Sequence, residues 1–437
     1  MTATDASADR QRRFDEYIGV LAAALGHADR LAPLHHYCTG LIVPNPSQRK
    51  SAEPMAAITS PTRVRAQHSS LLHFVGNSPW DDADVLDAVR GYALPALQAK
   101  QPDLAWLVDD TGNVKKGKHS VGVARQYCGQ VGKQENCQVA VSLTLANDFG
   151  SLPLAHRLYL PESWANDAER RKEAHVPGDV EFQTKPEIAL VQIGDAVRAG
   201  VPTGPVLADA GYGNDGKFRD GVTELRLSYC VGVQSTTTVW RPGEGPLPPA
   251  PPGPMGRPPT RLRRAPGHEP VSVKDLAKTL PEACFKIVRW RDGTKGRMSS
   301  RFAAVRVRPA NRDDRRKEPR PEEWLLIEWP KGESEPTKYW LSTLPAKISL
   351  KELVRLAKLR WRIERDYQEL KDEFGLDHYE GRKWRGFHHH ATLCIAVYAF
   401  LMRERLFSPS SEPHTKPELA VPAVPAGYRP RGAAASR

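Results

Sequence analysis

The chain has 437 residues, enough for two to four domains with hydrophobic cores of their own. Its 63 basic and 51 acidic residues give a formal charge of +12, which favours a polyanionic partner, DNA or RNA first. Six scattered cysteines without a CxxC pair indicate a reducing cytosol, and the sequence has neither a secretory signal nor an apolar run near the ~20 residues of a membrane span.

The first hundred residues have helical periodicity. FDEYIGVLAAAL (14–25) and DADVLDAVRGYALPALQ (82–98) repeat apolar residues at helical spacing, so residues 1–100 are predicted to form a small helical domain. Ser78 is the predicted N-cap of the second helix, with Pro79 at its first position. The domain either binds DNA or only packs.

Residues 101–234 combine strands and helices. Short apolar runs predict strands at 104–108, 120–128, 138–145, 156–160, 205–208 and 227–233, and helices are predicted at 185–200 and around 214–224. Strands that come first in succession and then alternate with helices predict a mixed α/β sheet.

Residues 235–348 are predicted to be rich in β-structure. The Pro/Gly-rich segment 241–259 is expected to be an extended or disordered loop, and strands are predicted at 284–290, 301–309, 323–330 and 337–345. Residues 290–301 resemble a basic hairpin with Asp292–Gly293 as its turn. The hairpin is either solvated or carries phosphate contacts, for which the candidates are Arg291, Lys295, Arg297 and Arg301.

Residues 349–407 are predicted to be helical. Ser349 and Glu352 form a capping box, and the first helix should run from about 350 to 373. A second, apolar helix is predicted at 391–406, and residues 408–437 are predicted to be a disordered tail. The histidines 388–390 are consecutive, so on a helix they point in different directions and cannot easily bind one metal ion; a helix start or a DNA contact is favoured.

Three acids could form a metal site. On the helix, Glu364 shares one face with Arg360 and Lys371, although such a stripe is also typical of solvated ion pairs. Asp110 and Asp209 each follow a short apolar run, where a carboxylate needs a metal or a cation nearby, unless it caps a helix or turn. Carboxylate oxygens from all three would suit Mg²⁺.

These motifs resemble those of DDE-superfamily transposases of bacterial insertion sequences. The resemblance is carried by VDDTG (108–112), ADAGYG (208–213) and the Arg, Glu and Lys of a Y-x2-R-x3-E-x6-K signature, with Ala357 in place of the tyrosine. GKHSVGVARQYCG (117–129) and DHYEGRKWRGFHHHATL (377–393) add to it, over about residues 35–406. The resemblance implies a ribonuclease-H-like mixed sheet, with a β-rich insertion before the glutamate helix and an N-terminal helical domain.

The resemblance also implies a site and a reaction. Asp110, Asp209 and Glu364 are then the catalytic and metal-binding acids for two Mg²⁺ ions, with Mn²⁺ as a substitute, and Asp110 bridges both. Asp110 is preferred over Asp109 because of strand parity and the Asp-Thr pairing of the family. The expected contacts to DNA phosphates are Arg360, Lys371, Lys115, Lys116, Lys118 and Arg297.

The predicted activity is cleavage at the ends of an insertion sequence, followed by joining of the 3′-OH ends to target DNA. Its partners would be double-stranded DNA, at terminal inverted repeats and target, and a second copy in a homodimer on DNA. The expected location is the bacterial cytoplasm, at the nucleoid. Two alternatives stay open: a ribonuclease-H-like nuclease that does not join strands, and a catalytically inactive DNA-binding derivative.

Overall fold

The computed structural model describes residues 3–44, 49–253, 257–293 and 296–407. The predicted disordered tail, 408–437, and Lys295 of the predicted hairpin lie outside these ranges. Helices and a large set of paired strands make a mixed α/β protein, which confirms the predicted class. In the described ranges, every helix falls short of the length and hydrophobicity that a bilayer-spanning segment requires.

Helices occupy most of the described residues before position 100: α1 (Ala3–Ala24), α2 (Leu31–Ile42), α3 (Ala52–Thr59), α4 (Val64–Gly76) and α5 (Asp82–Lys100). The predicted N-cap of the last was wrong. Asp81 is the cap, because its carboxylate accepts a hydrogen bond from the free backbone N–H of Ala83. The Ser78 hydroxyl instead lies 3.4 Å from His73 Nδ1.

The next segment begins with strands and continues with helices between strands. Its elements are β1 (Ala105–Val114), β2 (Ala124–Cys128), β3 (Lys133–Ala146), β4 (Ser151–Leu158), α6 (Glu162–Ala165), α7 (Ala168–Glu173), α8 (Lys185–Arg198), β5 (Val206–Ala208), α9 (Ala210–Gly213), α10 (Gly216–Glu224) and β6 (Tyr229–Val233). The predicted strands and helices are present, although β1 and β3 are longer than their apolar runs. Pairing between strands extends them into polar sequence.

Residues 238–342 are mainly strands: β7 (Thr238–Trp240), β8 (Val271–Ser272), α11 (Val273–Thr279), β9 (Lys286–Gly293), β10 (Gly296–Pro309), β11 (Glu323–Trp329) and β12 (Lys338–Ser342). The predicted hairpin is formed by β9 and β10, but its predicted turn was wrong. Asp292 and Gly293 are the last residues of β9 and pair with Arg297 and Gly296, so they belong to the strand.

Three helices close the described chain: α12 (Leu350–Leu359), α13 (Trp361–Asp372) and α14 (Trp384–Phe407). The Ser349 hydroxyl accepts from the Glu352 N–H at 3.1 Å, which confirms the predicted cap of α12. The single helix predicted over 350–373 was wrong. Its regular pattern is interrupted at Arg360, whose φ of −54° and ψ of −23° are nearer to 3₁₀ than to α geometry.

The chain divides into two compact units with bounds that differ from the predicted segments. The first contains the described parts of Met1–Asp103, Asp109–Gln192 and Arg362–Arg437. Here α14 packs against α2, α4, α5 and β4, while β3 pairs with β2 and β4. Tyr17 of α1 stacks on Phe400 of α14 with ring centroids 5.6 Å apart. The predicted N-terminal helices therefore share a core with α14, the last helix that the structure describes.

The second unit contains Leu104–Val108 and the described part of Ile193–Trp361. Its strand order is β1–β5–β6–β12–β11–β10–β7–β8, with β9 paired to β10. β5 pairs in parallel with Trp106 and Leu107 of β1 and with β6, and the remaining ladders are antiparallel. Strand β1 thus begins in this unit and ends in the other.

Candidate active site

Asp109 and Asp110 lie within a strand. The sequence placed them at the end of a strand, which was wrong, because β1 continues to Val114 and its residues Thr111 and Asn113 are buried. Successive strand residues face opposite sides, so the two carboxylates diverge. The Asp109 carboxylate accepts a hydrogen bond from the Asp110 N–H at 2.9 Å, which fixes its rotamer.

Asp110 forms an ion pair with Lys185 that was not predicted from the sequence. Lys185 Nζ lies 2.8 Å from Asp110 Oδ2, and the side chains are 29% and 25% exposed. Lys185 is the first residue of α8, where Glu187 accepts hydrogen bonds from the N–H and the hydroxyl of Thr184. The T-x-x-E pattern signalled this helix start, but no local signal indicated a partner 75 residues away.

Asp209 caps α9 directly after β5. Its Oδ1 accepts from the Gly211 N–H at 2.8 Å. The glycines of ADAGYG allow a close approach inside the second unit: a Cβ on Gly213 would lie 1.9 Å from the Gly232 carbonyl oxygen of β6. The motif therefore packs the N-terminal end of α9 closely against β6. Asp209 caps this helix, which is the alternative to metal binding that the sequence left open.

Glu364 is exposed in the first turn of α13, where the helix dipole favours an acid. Buried polar contacts hold this helix in the first unit. Asp366 Oδ1 accepts from the Ser151 hydroxyl at 2.5 Å and the Tyr398 hydroxyl at 2.9 Å, and burial raises the pKa of Asp366 to about 6. The Tyr367 and Ser142 hydroxyls are 2.6 Å apart.

Burial, followed by the negative charge of Asp109, raises the pKa of Tyr367 well above its usual value. Neither Asp366 nor Tyr367 was identified from the sequence. The sequence indicated them only in that each places a polar group on the side of α13 that packs against the protein.

The predicted phosphate contacts occupy different environments. Lys116, Lys118 and Arg297 are exposed, whereas Arg360 is half-buried between α12 and α13. Lys115 is also half-buried, and its ammonium donates to the Tyr379 carbonyl at 2.7 Å. Lys371 is 7% exposed, and its ammonium donates to the Gly112 carbonyl at 2.7 Å and to Gln130 Oε1 at 3.1 Å. Its resting contacts are therefore internal.

The hairpin arginines that were candidate contacts are also engaged by protein. The guanidinium of Arg291 lies 3.9 Å from the ring centre of Trp361, and that of Arg301 lies 4.0 Å from Trp329. Cation–π contacts of this kind hold the charge against the protein surface.

The three consecutive histidines lie inside α14 and are buried, so the expected helix start or DNA contact was wrong for them. Each ring faces a different partner. His388 Nδ1 lies 3.0 Å from the Trp384 carbonyl, His389 stacks on Trp80, and His390 Nε2 lies 2.8 Å from the Gly375 carbonyl. Their role is to pack this helix.

No group of three or more His, Cys, Asp or Glu side chains able to hold a metal ion occurs in the part of the chain that the structure describes. Asp110 and Glu364 belong to the first unit and Asp209 to the second. The donor set fits a divalent cation in its chemistry, since all three acids offer carboxylate oxygens, the ligands that Mg²⁺ prefers.

Two comparisons with known proteins bear on this site. The sequence profile of the family described as DDE superfamily endonuclease matches residues 20–297, a range that includes Asp110 and Asp209 and ends before Glu364. A probable transposase for insertion sequence element IS701 from Microchaete diplosiphon is 32% identical over 189 residues. The alignment covers 43% of this chain and 45% of that relative, so it spans less than half the length of either protein.

Proposed function

Because the chain belongs to the DDE superfamily of endonucleases, we propose that it is an insertion-sequence transposase that cuts DNA at the ends of its element. It then joins the freed 3′-OH ends to target DNA. The observation that carries the proposal is the family match over residues 20–297, a range that includes Asp110 and Asp209. The Asp110 side chain is 25% exposed on its strand, which leaves its carboxylate accessible. The relative's printed name, a probable transposase, supports the same reaction.

The proposed metal ligands are Asp110, Asp209 and Glu364, with Mg²⁺ as the ion and Mn²⁺ as a substitute. Divalent ions in such sites lower the pKa of a bound water and stabilise the leaving oxygen during phosphoryl transfer. The protein contributes carboxylates on regular elements: Asp209 is fixed by its bond to Gly211, and Glu364 projects from the first turn of α13.

The proposed architecture is a ribonuclease-H-like core with a β-rich insertion. β5, which ends one residue before Asp209, pairs in parallel with Trp106 and Leu107 of β1, the strand that also contains Asp110. Strands β7 to β12 fall between Asp209 and Glu364 in the sequence, as an insertion would. We assign recognition of the element's ends to the helices before residue 100.

Exposed basic residues would bind the DNA backbone as phosphate contacts. Lys116 and Lys118 follow β1, and Arg297 is in β10. Arg360 and Lys115 would add contacts from half-buried positions. Lys371 acts differently in this proposal: it holds α13 against β1 through Gly112. Because a transposon has two ends, two copies of the protein would act together on DNA.

A strand-joining assay tests this function. The purified full chain is incubated with Mg²⁺, a target plasmid and linear DNA that carries the terminal inverted repeats of the element. Both cleaved ends and joined products should form. Asp209→Asn and Glu364→Gln should abolish both while DNA affinity stays unchanged, and Asp372→Asn, at the exposed end of α13, is the matched control.

Three results would contradict the proposal. Cleaved ends without any joined product would identify a nuclease that does not transfer strands. Activity that survives Asp209→Asn or Glu364→Gln would remove these acids from the reaction, and a protein that binds DNA but never cuts it would be an inactive derivative.

A further inference from the structure

The position of Lys185 is fixed by the start of α8. The Thr184 hydroxyl and N–H both donate to Glu187 Oε2 at 2.8 Å, and the Glu187 N–H faces the Thr184 hydroxyl at 3.4 Å. This reciprocal cap determines which residue occupies the first helical position. Lys185 therefore projects from a rigid point, and its ammonium reaches Asp110 Oδ2 of β1 within the same compact unit.

The helix itself does not favour a lysine here. The N-terminal end of a helix carries a partial positive charge, which disfavours a cation in the first turn. The counter-charge comes instead from Asp110, at 2.8 Å. The Lys185 charge also acts on Cys137 and Tyr159: burial raises the pKa of each of these groups, and the lysine opposes that rise.

We propose that Lys185 is a positioning residue that neutralises Asp110 in the metal-free protein and releases the carboxylate when a divalent cation binds. This inference rests on the proposed function, which makes Asp110 a metal ligand. The Asp110 side chain is 25% exposed, and the Lys185 ammonium lies 2.8 Å from its Oδ2, where it offsets the negative charge of the carboxylate.

The exchange has a measurable consequence. A divalent ion must displace the ammonium from Asp110, so part of its binding free energy is offset by the lost ion pair. Partly exposed ion pairs contribute about 0.2 to 1 kcal/mol, which corresponds to roughly a 1.4- to fivefold change in affinity. Removing the Lys185 charge should therefore tighten metal binding.

Mn²⁺ binding to the full chain without DNA, followed by electron paramagnetic resonance, tests the exchange. Lys185→Gln should bind Mn²⁺ about 1.4- to fivefold more tightly than the wild type. Lys185→Arg keeps the charge and should retain wild-type affinity. Lys172→Gln, which removes an exposed charge on α7 of the same unit, is the control and should leave the affinity unchanged.

Thermal unfolding provides a second readout that needs no activity. In EDTA, Lys185→Gln should unfold at a lower temperature than the wild type. Saturating Mn²⁺ should raise the unfolding temperature of this variant by more than it raises that of the wild type. Equal Mn²⁺ affinities for Lys185→Gln and wild type, with equal shifts, would overturn the inference. If Asp110→Asn binds Mn²⁺ as tightly as the wild type, Asp110 is not a metal ligand, and the proposed function rather than the exchange is contradicted.

Discussion

Lys371 and Gly112 are joined by a buried hydrogen bond, with the Lys371 ammonium 2.7 Å from the Gly112 carbonyl oxygen. The lysine belongs to α13, which also carries Glu364, and the glycine belongs to β1, which also carries Asp110. Burial lowers the pKa of Lys371. This one contact therefore connects the elements that hold two of the three proposed metal ligands.

Loss of this contact should destabilise the protein. Lys371→Met keeps the aliphatic stem but leaves the Gly112 carbonyl without its donor, which should lower the free energy of unfolding by about 1 to 3 kcal/mol. Urea denaturation measures the loss, and Lys351→Met, at an exposed position of α12, is the control. DNA affinity should stay unchanged. Unchanged stability with weakened DNA binding would instead support the phosphate contact that the sequence analysis predicted.

A methyl group at position 213 should disrupt the strand–helix contact behind Asp209. Gly213→Ala would place a Cβ 1.9 Å from the Gly232 carbonyl oxygen, so α9 must move away from β6. This should lower the free energy of unfolding by about 1 to 3 kcal/mol. The matched control is Gly91→Ala in α5, where the new Cβ meets nothing within 4 Å. That variant should be more stable by about 0.5 to 1 kcal/mol. Equal stability of the two variants in thermal unfolding would contradict the contact.

His390 should make the protein sensitive to acid. Its Nε2 faces the Gly375 carbonyl and its Nδ1 faces the Tyr37 hydroxyl, each at 2.8 Å, which satisfies a neutral ring. Burial lowers its pKa to about 4 from the usual 6.5. The unfolded chain then binds the proton first as pH falls, so this stabilisation is complete above pH 6.5 and is lost between 6.5 and 4, at about 1.4 kcal/mol per pH unit.

Urea denaturation at pH 7 and pH 5 measures this dependence. The stability advantage of the wild type over His390→Gln should shrink by about 2 kcal/mol at the lower pH. His119→Gln, which removes an exposed imidazole, serves as the control. An advantage that is the same at both pH values would contradict a neutral buried ring.

The carboxylate of Asp366 should be replaceable only by an acceptor. Both the Ser151 and Tyr398 hydroxyls donate to its Oδ1, and an asparagine oxygen can accept the same bonds. Asp366→Ala leaves these buried donors without a partner and should be less stable than Asp366→Asn by about 1 to 3 kcal/mol in denaturant titrations. Equal stability of the two variants would show that the hydroxyls find other acceptors.

The sequence predicted the elements better than their ends. Apolar runs located β1, β5, β6 and the strands β9 to β12, because a buried strand needs such a run wherever it pairs. DDTGNV resembles a turn, yet it continues β1, since the neighbouring strand supplies its hydrogen bonds. The break at Arg360 likewise has no local signal, because the helical pattern of apolar residues continues across it.

The sequence identified the candidate metal ligands but not the residues that contact them in the fold. Motifs identified Asp110, Asp209 and Glu364 as candidates, and their shared site stays a proposal. Motifs did not reveal that Lys185 pairs with Asp110, because the two residues are 75 positions apart. Lys371 was predicted to contact DNA phosphates because it shares a helix face with Arg360 and Glu364. Its ammonium is instead buried and donates to the Gly112 carbonyl.

Crystals of the full chain grown with Mn²⁺ would show directly whether the three proposed acids bind the metal. Anomalous diffraction at the manganese edge locates the ion independently of any activity. We expect anomalous peaks coordinated by carboxylate oxygens of Asp110, Asp209 and Glu364, with Lys185 Nζ no longer bonded to Asp110. Peaks at other residues, with the pair of Lys185 and Asp110 intact, would contradict it.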